Sequence, residues 1–569
     1  MSWESQYPHV AAAYQYCLDV TDGKVPACKW VNLACQRQLD DLDTATAFTF
    51  DAAKAEAVCT FISKLPHVKG SQWAGKTIDL EPWQAFTLTT PFGWVYRHDV
   101  IDDANGDVIA RSNTRRFRTV LIMVPRKNAK STIAAGVGLY MLTDEGELGA
   151  EVYSSATTRA QAKIVWQIAR QQAMRTPALK LGIQMHSLQN LANASVFEAL
   201  HAQGETLDGY NISAALNDEL HAWSKRQVYG VIETAMGSRD QPMIWNVSTA
   251  GFNLDGVCFE LQGYLQRVLE KTIADESFFG LVYGIDEGDD WTSPASHRKA
   301  NPNYGVSVSP LDMNNLCAKA TEMPSEQNDF LTKRLNVWCN AATAWMNMQQ
   351  WQAGHDSTLR IEDFKGEPCW LGIDLASKID INSMAILFKR GDHIYCFMRH
   401  WLPEAAITSD NNSHYDGWVR MGALRSTPGN VIDVDVIEAE TAAISDVATI
   451  TEIAMDPGHN STQYGVHMVR QGYKVIDVRP TVMEFSEPMK WLEAYVKDGT
   501  FHHNCPVLTW MVSNVEARRD QKDNIYPRKP AGASNRKIDG VVALLMALNR
   551  LKASEGVYDV YADHELLIV

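Results

Sequence analysis

Long apolar runs are missing from this 569-residue chain. No stretch approaches the roughly 20 residues needed to cross a bilayer, and no charged segment leads into an apolar one at the start, so secretion and membrane insertion are not expected. A cytoplasmic protein is predicted. The ten cysteines include no C-x-x-C pair, which argues against a zinc ribbon or a disulfide framework and for reduced thiols. Internal repeats and long low-complexity segments are absent too, which excludes solenoids and disordered arrays. An excess of base is also lacking. Lys and Arg number 52 against 68 Asp and Glu, a net charge of −16, so any nucleic-acid contact has to come from local patches. Two such patches exist: Arg111, Arg115, Arg116 and Arg118, and then Arg518, Arg519, Lys522, Arg528, Lys529, Arg536 and Lys537.

What is present is the composition of a globular chain too long for one ordinary core, which predicts two large domains. Val120–Val124 reads as a buried strand that runs through Pro125, Arg126, Lys127, Asn128 and Ala129 into Lys130, Ser131 and Thr132 and a helix. A strand-to-helix turn of this kind aims backbone N–H groups and a helix N-terminus at phosphate. Lys130 is placed to neutralise the outer phosphates and Ser131 to hold Mg²⁺. Both glycines of the usual G-x-x-x-x-G-K-[ST] pattern are missing, with Val124 and Ala129 in their places. An alanine methyl before the lysine is easy only if φ there is negative.

A second segment adds weight. Ile212–Leu216 reads as a buried strand ending in Asn217-Asp218-Glu219-Leu220-His221. Adjacent carboxylates at a strand's C-terminal end suit nucleotide hydrolysis, with Asp218 in the Mg²⁺ shell and Glu219 polarising the attacking water. Another strand, Met243–Val247, delivers Ser248, Thr249 and Ala250, small residues suited to sensing the γ-phosphate. Upstream, Gln84 in Leu80–Phe86 has an amide able to pair with both edges of adenine. The first 60 residues read as helical, over Ala11–Val20 and Trp30–Leu42, and Gly284–Tyr304 reads as a loop.

Past residues 350–365 the pattern restarts. Cys369–Leu375 is a strand with Asp374 embedded in it, followed by a hairpin, Met384–Phe388 and Ile394–Met398, around Arg390-Gly391-Asp392. Ile450–Met455 delivers Asp456, and the apolar helix Ile538–Leu548 carries Asp539 in its first turn. A carboxylate inside an apolar strand is costly unless paired or bound to metal. If Asp374, Asp456 and Asp539 meet at one sheet edge, with Asp380 a candidate outer-shell fourth acid, they suit two divalent cations, Mg²⁺ or Mn²⁺, acting on a phosphodiester.

These segments closely resemble the large terminase subunit of tailed bacteriophages, over nearly the whole chain. Pro125–Ser131 stands as its deviant Walker A, Asn217–Ala222 as its Walker B and Ser248–Ala250 as its coupling motif. Gly372–Leu375, Met455–Pro457 and Lys537–Gly540 stand as its nuclease motifs. The resemblance implies an α/β fold, an N-terminal ASCE-type P-loop ATPase followed by an RNase H-like nuclease. Expected bounds are 1–60 for a helical arm or cap, 61–350 for the ATPase, 351–365 for a linker and 366–569 for the nuclease. It further implies that ATP drives double-stranded DNA into a procapsid and that the nuclease cuts the concatemer. The implied partners are a small terminase subunit, the procapsid portal and further copies in a pentameric ring, the chain alone being a monomer. The implied place is the host cytoplasm, transiently at the portal and not in the mature virion. Gln84 matches the family's adenine-reading glutamine. No trans-acting arginine finger is evident, because Thr206–Asn211 contains no arginine, and Arg126 and Arg159 are the nearest alternatives. Two other readings share the motifs: a helicase-nuclease of repair or defence, which would unwind duplex, and a nucleotide-regulated structural adaptor whose aspartates do not cleave.

Overall fold

A computed structural model describes residues 6–44, 47–102, 106–156, 159–200, 209–223, 226–340, 345–375, 380–409, 414–429, 432, 434–458, 461–520, 522–529 and 536–555. Thr206–Asp208 lie outside the described residues, as does the side chain of Arg159. The chain divides into two units, Met1–Glu322 with Asp329–Cys339, and Met323–Asn328 with Asn340–Val569.

In the first unit the apolar strands form one sheet. Its members are β1 (Thr119–Met123), β2 (Glu151–Ser155), β3 (Gly182–Ile183), β4 (Ser187–Asn190), β5 (Ser195–Ala199), β6 (Ala214–Asp218), β7 (Met243–Ser248) and β8 (Phe278–Val282), in the order 8-1-7-6-2-5-4-3. Strands 8 to 5 along that order are parallel, and β4 and β3 close one edge antiparallel. β6, β7 and β8 are buried at every position, as strands covered on both faces must be. The polar residues inside them answer one another. Asn217 accepts from Ser155 and donates to Asn246 (2.8 Å), and Asn246 donates to Val120 O (3.1 Å), a row running across β2, β6, β7 and β1. Helices Pro8–Thr21 and Lys29–Thr44 share the sheet's apolar core, where the Tyr16 hydroxyl lies 3.1 Å from that of Tyr283.

One expectation is corrected. Gly284–Tyr304 is not all loop: Pro294–Ala300 is helical, with Pro294 in the first turn and Ser293 Oγ capping Ser296 N. A helix of two turns is too short for its apolar spacing to register.

In the second unit the sheet comprises β9 (Pro368–Asp374), β10 (Asn382–Arg390), β11 (His393–Pro403), β12 (Arg425–Thr427), β13 (Thr449–Met455), β14 (Val475–Asp477) and β15 (Phe501–His503). The order is 12-11-10-9-13-14, with β15 also on β11. β9, β10 and β11 meander antiparallel, and β13 and β14 then add parallel to β9, which is the RNase H-like arrangement. Alternation along β10 sends Ala385 and Leu387 into one apolar cluster and Met384, Ile386 and Phe388 into another. Helix Asp539–Glu555 lies on β9 so closely that a Cβ at Gly372 would stand 2.0 Å from Ala543 O. A basic hairpin, β16 (Glu516–Arg519) with β17 (Ile525–Arg528), precedes that helix in the chain. None of the ten cysteines is in a disulfide, and all but Cys339 are buried. Among the described residues no helix is long and apolar enough to cross a membrane.

Candidate active sites

β1, β7 and β6 are adjacent and parallel, so the segments after Met123, Ser248 and Asp218 emerge side by side at one end of the sheet. The turn after β1 is tight. Lys127 and Ala129 both take left-handed conformations (φ 76° and 61°), and Ala129 caps the helix that opens with Lys130. The alanine thus sits where a positive φ is required, opposite to the condition under which its methyl is easily borne.

Arg126 and Lys127 are exposed, and Thr132 N closes the turn on Ala129 O at 3.0 Å. Asn128 is buried and its side chain is bonded within the protein: its Nδ2 donates to Pro125 O (3.1 Å) and Asn301 Oδ1 (3.0 Å), and its Oδ1 accepts from Asn303 N (3.0 Å). Gln84 is also buried, and its Oε1 accepts from Glu81 N (3.0 Å) in a capping box at the start of helix Pro82–Gly93. Its neighbour Trp83 donates to Asn303 Oδ1 at 2.6 Å, which ties that helix start to the phosphate loop.

The acids converge on the loop. Ser131 Oγ donates to Asp218 Oδ2 (2.8 Å), and Lys130 Nζ lies 3.5 Å from Glu219 Oε1. Burial, then the neighbouring Glu219, pushes Asp218 above the usual carboxylate range, while Lys130 pulls the other way. Glu219 itself has a left-handed backbone (φ 50°), and its Oε2 is buried without a hydrogen bond. That orphaned oxygen is a ready acceptor for a water.

His221 is the residue that pattern reading passed over. Its Nδ1 lies 3.3 Å from Glu219 Oε2, 3.2 Å from Ser248 Oγ and 3.4 Å from Thr249 Oγ1, and its backbone N donates to Ser248 Oγ (2.9 Å). Burial lowers its pKa against the pull of Glu219, which favours the neutral ring. One imidazole therefore touches both the acid and the segment after β7. No spacing rule announces a histidine two residues past an acidic pair. Ala250 N donates to Asn336 Oδ1 at 2.5 Å, a second anchor of that segment.

In the second unit, Asp374 ends β9, Asp456 follows β13 and Asp539 opens the helix lying on β9. Burial, then the Asp539, Asp380 and Asp456 carboxylates, pushes Asp374 well above its ordinary range. Burial and Asp380 raise Asp539 to about 6, against Lys529 and Lys537. Its Oδ2 is buried without a hydrogen bond. Four carboxylates in one another's field, one with an orphaned oxygen, form an oxygen-donor set of the kind hard divalent cations take. They are not drawn to one point: among the described residues no three His, Cys, Asp or Glu side chains are grouped tightly enough to hold an ion. Lys537 Nζ pairs with Asp380 Oδ1 (2.9 Å), and Lys529 Nζ stands 3.8 Å from Asp380 Oδ2 and 3.9 Å from Asp539 Oδ1. Sequence reading had Lys529 only as part of a basic cluster, and Lys537 there and at the start of the motif around Asp539.

Comparison with known proteins gives two family matches in succession along the chain. Residues 82–267 match the terminase large subunit, ATPase domain, and residues 272–555 the terminase large subunit, endonuclease domain. Protein YmfN of Escherichia coli (strain K12) is 34% identical over 370 residues, covering 63% of this chain and 81% of its own. The terminase large subunit of Enterobacteria phage HK97 is 24% identical over 514 residues, covering 87% and 95%. The crystal structure of the HK97 bacteriophage large terminase aligns over 87% of this chain and 99% of that one, at 23% identity and a TM-score of 0.42. The chain belongs to the large terminase subunits of bacteriophages, with an ATPase domain followed by an endonuclease domain.

Proposed function

We propose that this terminase large subunit hydrolyses MgATP at the loop following β1 and cuts DNA at the aspartates around β9. The observation that carries the reading is the meeting of Lys130, Ser131, Asp218 and Glu219 at the ends of adjacent strands. Arg126, Lys127 and the loop's backbone N–H groups face phosphate, and Lys130 neutralises its outer charge. Ser131 and Asp218 hold the Mg²⁺, and Glu219 Oε2 accepts a hydrogen bond from the attacking water. His221 steadies that carboxylate and passes its state to Ser248, Thr249 and Ala250. Gln84 and Asn128 act through the loop's scaffold in the described conformation.

In the nuclease, Asp374, Asp456 and Asp539 hold two divalent cations, with Asp380 beside them. Bound cations supply water activation and stabilise the leaving oxygen. The basic hairpin of Arg518, Arg519 and Arg528 stands beside them, with Tyr526 in the field of Asp374 and Asp456, and offers charge for a phosphate backbone. Packaging then takes place in the host cell at a procapsid portal, in a ring of copies that receives double-stranded DNA from a small subunit.

The test pairs Glu219→Gln with Asp374→Asn in the full chain. ATP turnover falls at least about 100-fold in the first with cleavage retained, and metal-dependent plasmid cleavage is lost in the second with turnover retained. Full ATPase activity in folded Glu219→Gln protein overturns the ATPase assignment.

A further inference from the structure

We infer that Lys529 and Lys537 are tethered counter-cations of the nuclease carboxylates, which an entering divalent cation has to displace. The inference rests on the nuclease reading of Asp374, Asp456 and Asp539 and assigns the two lysines a role in metal loading.

Four carboxylates around one sheet edge repel one another, and the partly buried Asp374 and Asp539 are held against that repulsion. The fold answers with two ammonium groups from the segment that joins the basic hairpin to the last helix. Lys537 is the more enclosed, its side chain 14% exposed against 34% for Lys529. Its position is fixed at the backbone, since buried Asn514 donates from Nδ2 to Lys537 O at 3.0 Å. Lys537 stands 2.9 Å from Asp380, and Lys529 reaches towards both Asp380 and Asp539. These ammonium groups lie on Asp380, beside the cation ligands, and on Asp539, one of them, and their positive charge repels an entering divalent cation. The site is therefore compensated before metal arrives, and metal affinity is lowered by the cost of expelling a built-in cation. The freed ammonium groups then face the phosphate that the basic hairpin brings.

The experiment is titration calorimetry of Mn²⁺ into the full-length chain without nucleotide, with thermal unfolding in the presence and absence of Mn²⁺. The double variant Lys529→Met, Lys537→Met should bind Mn²⁺ about tenfold more tightly than the native protein. It should also melt at lower temperature without metal and gain more from added Mn²⁺. Should the double variant not fold, Lys529→Met alone carries the test, with an expected tightening of about threefold. The charge-preserving Lys537→Arg should stay within about twofold of native affinity. Unchanged or weaker Mn²⁺ binding in the Met variants overturns the inference, and so does a loss of DNA affinity with metal affinity unmoved. Asp374→Asn separates the two levels: Mn²⁺ binding in it equal to the native protein's means the nuclease reading itself fails.

Discussion

Ala129 shows how far single residues can be read. The lysine, the serine and the acidic pair were picked out because phosphate and Mg²⁺ chemistry calls for such side chains in that order, and the structure brings them together. The backbone was not: the expectation that an alanine before Lys130 needs a negative φ meets a left-handed 61°. A methyl group in that region costs roughly 1–2 kcal/mol relative to glycine, and the loop bears it because Asn128 and its partners hold the turn from beneath. Ala129→Gly should therefore raise the stability of the ATPase unit by about 1 kcal/mol, read as a higher urea midpoint at unchanged slope. A lower midpoint would mean the loop is held in another conformation. His221 was illegible for a different reason, since its partners lie on β7 and only the parallel register of β6 with β7 brings them to it.

Among elements, strands with continuous apolar character and the last helix were readable from period and composition. Their contacts were not. Gly372 reads in the sequence as one residue of a nuclease motif, yet its structural task is to let helix Asp539–Glu555 press its backbone against β9. That contact fixes the height of Asp539 over the sheet edge where Asp374 ends. Gly372→Ala should lift the helix, destabilise the nuclease unit by about 1–3 kcal/mol and lower Mn²⁺ affinity together with cleavage, leaving ATP turnover as it was. Calorimetric unfolding and Mn²⁺ titration check it, and native affinity in the variant would show that Asp539 is held by something else. The helix Pro294–Ala300 was missed for want of length, although Ser293 and Pro294 are ordinary signals of a helix start.

For the whole molecule, length pointed to two large domains and the division into two units is seen. Net charge was a poor guide, because −16 conceals the basic hairpin beside the nuclease acids. The second unit should carry a histidine contribution to its response to acid. His400 in β11 is fully buried, with Ser383 Oγ 2.9 Å from its Nδ1, and burial and then Arg399 lower its pKa to about 3. It stays neutral in the fold, whereas the unfolded chain protonates it below about 6.5. Unfolded protein therefore binds the extra proton between about pH 6.5 and 3, so stability falls as pH drops through that window, by at most about 1.4 kcal/mol per pH unit. The raised Asp374 and Asp539 carboxylates act in the opposite sense over this range, so the histidine's share is read by difference: in urea unfolding of the second unit from pH 7 to 5, His400→Gln should lose less stability, or gain more, than the native protein. An equal slope in that variant would place the acid sensitivity elsewhere.

The thiol inventory carries one more consequence at this scale. Cys339 is the one cysteine of ten that is not buried, and its backbone N–H donates to Gly251 O at 3.3 Å, directly after Ser248, Thr249 and Ala250. The unaltered protein thus offers a preferred handle for a maleimide dye, beside the stretch of chain proposed to sense the γ-phosphate, and ATP binding and turnover should register there as a change in fluorescence.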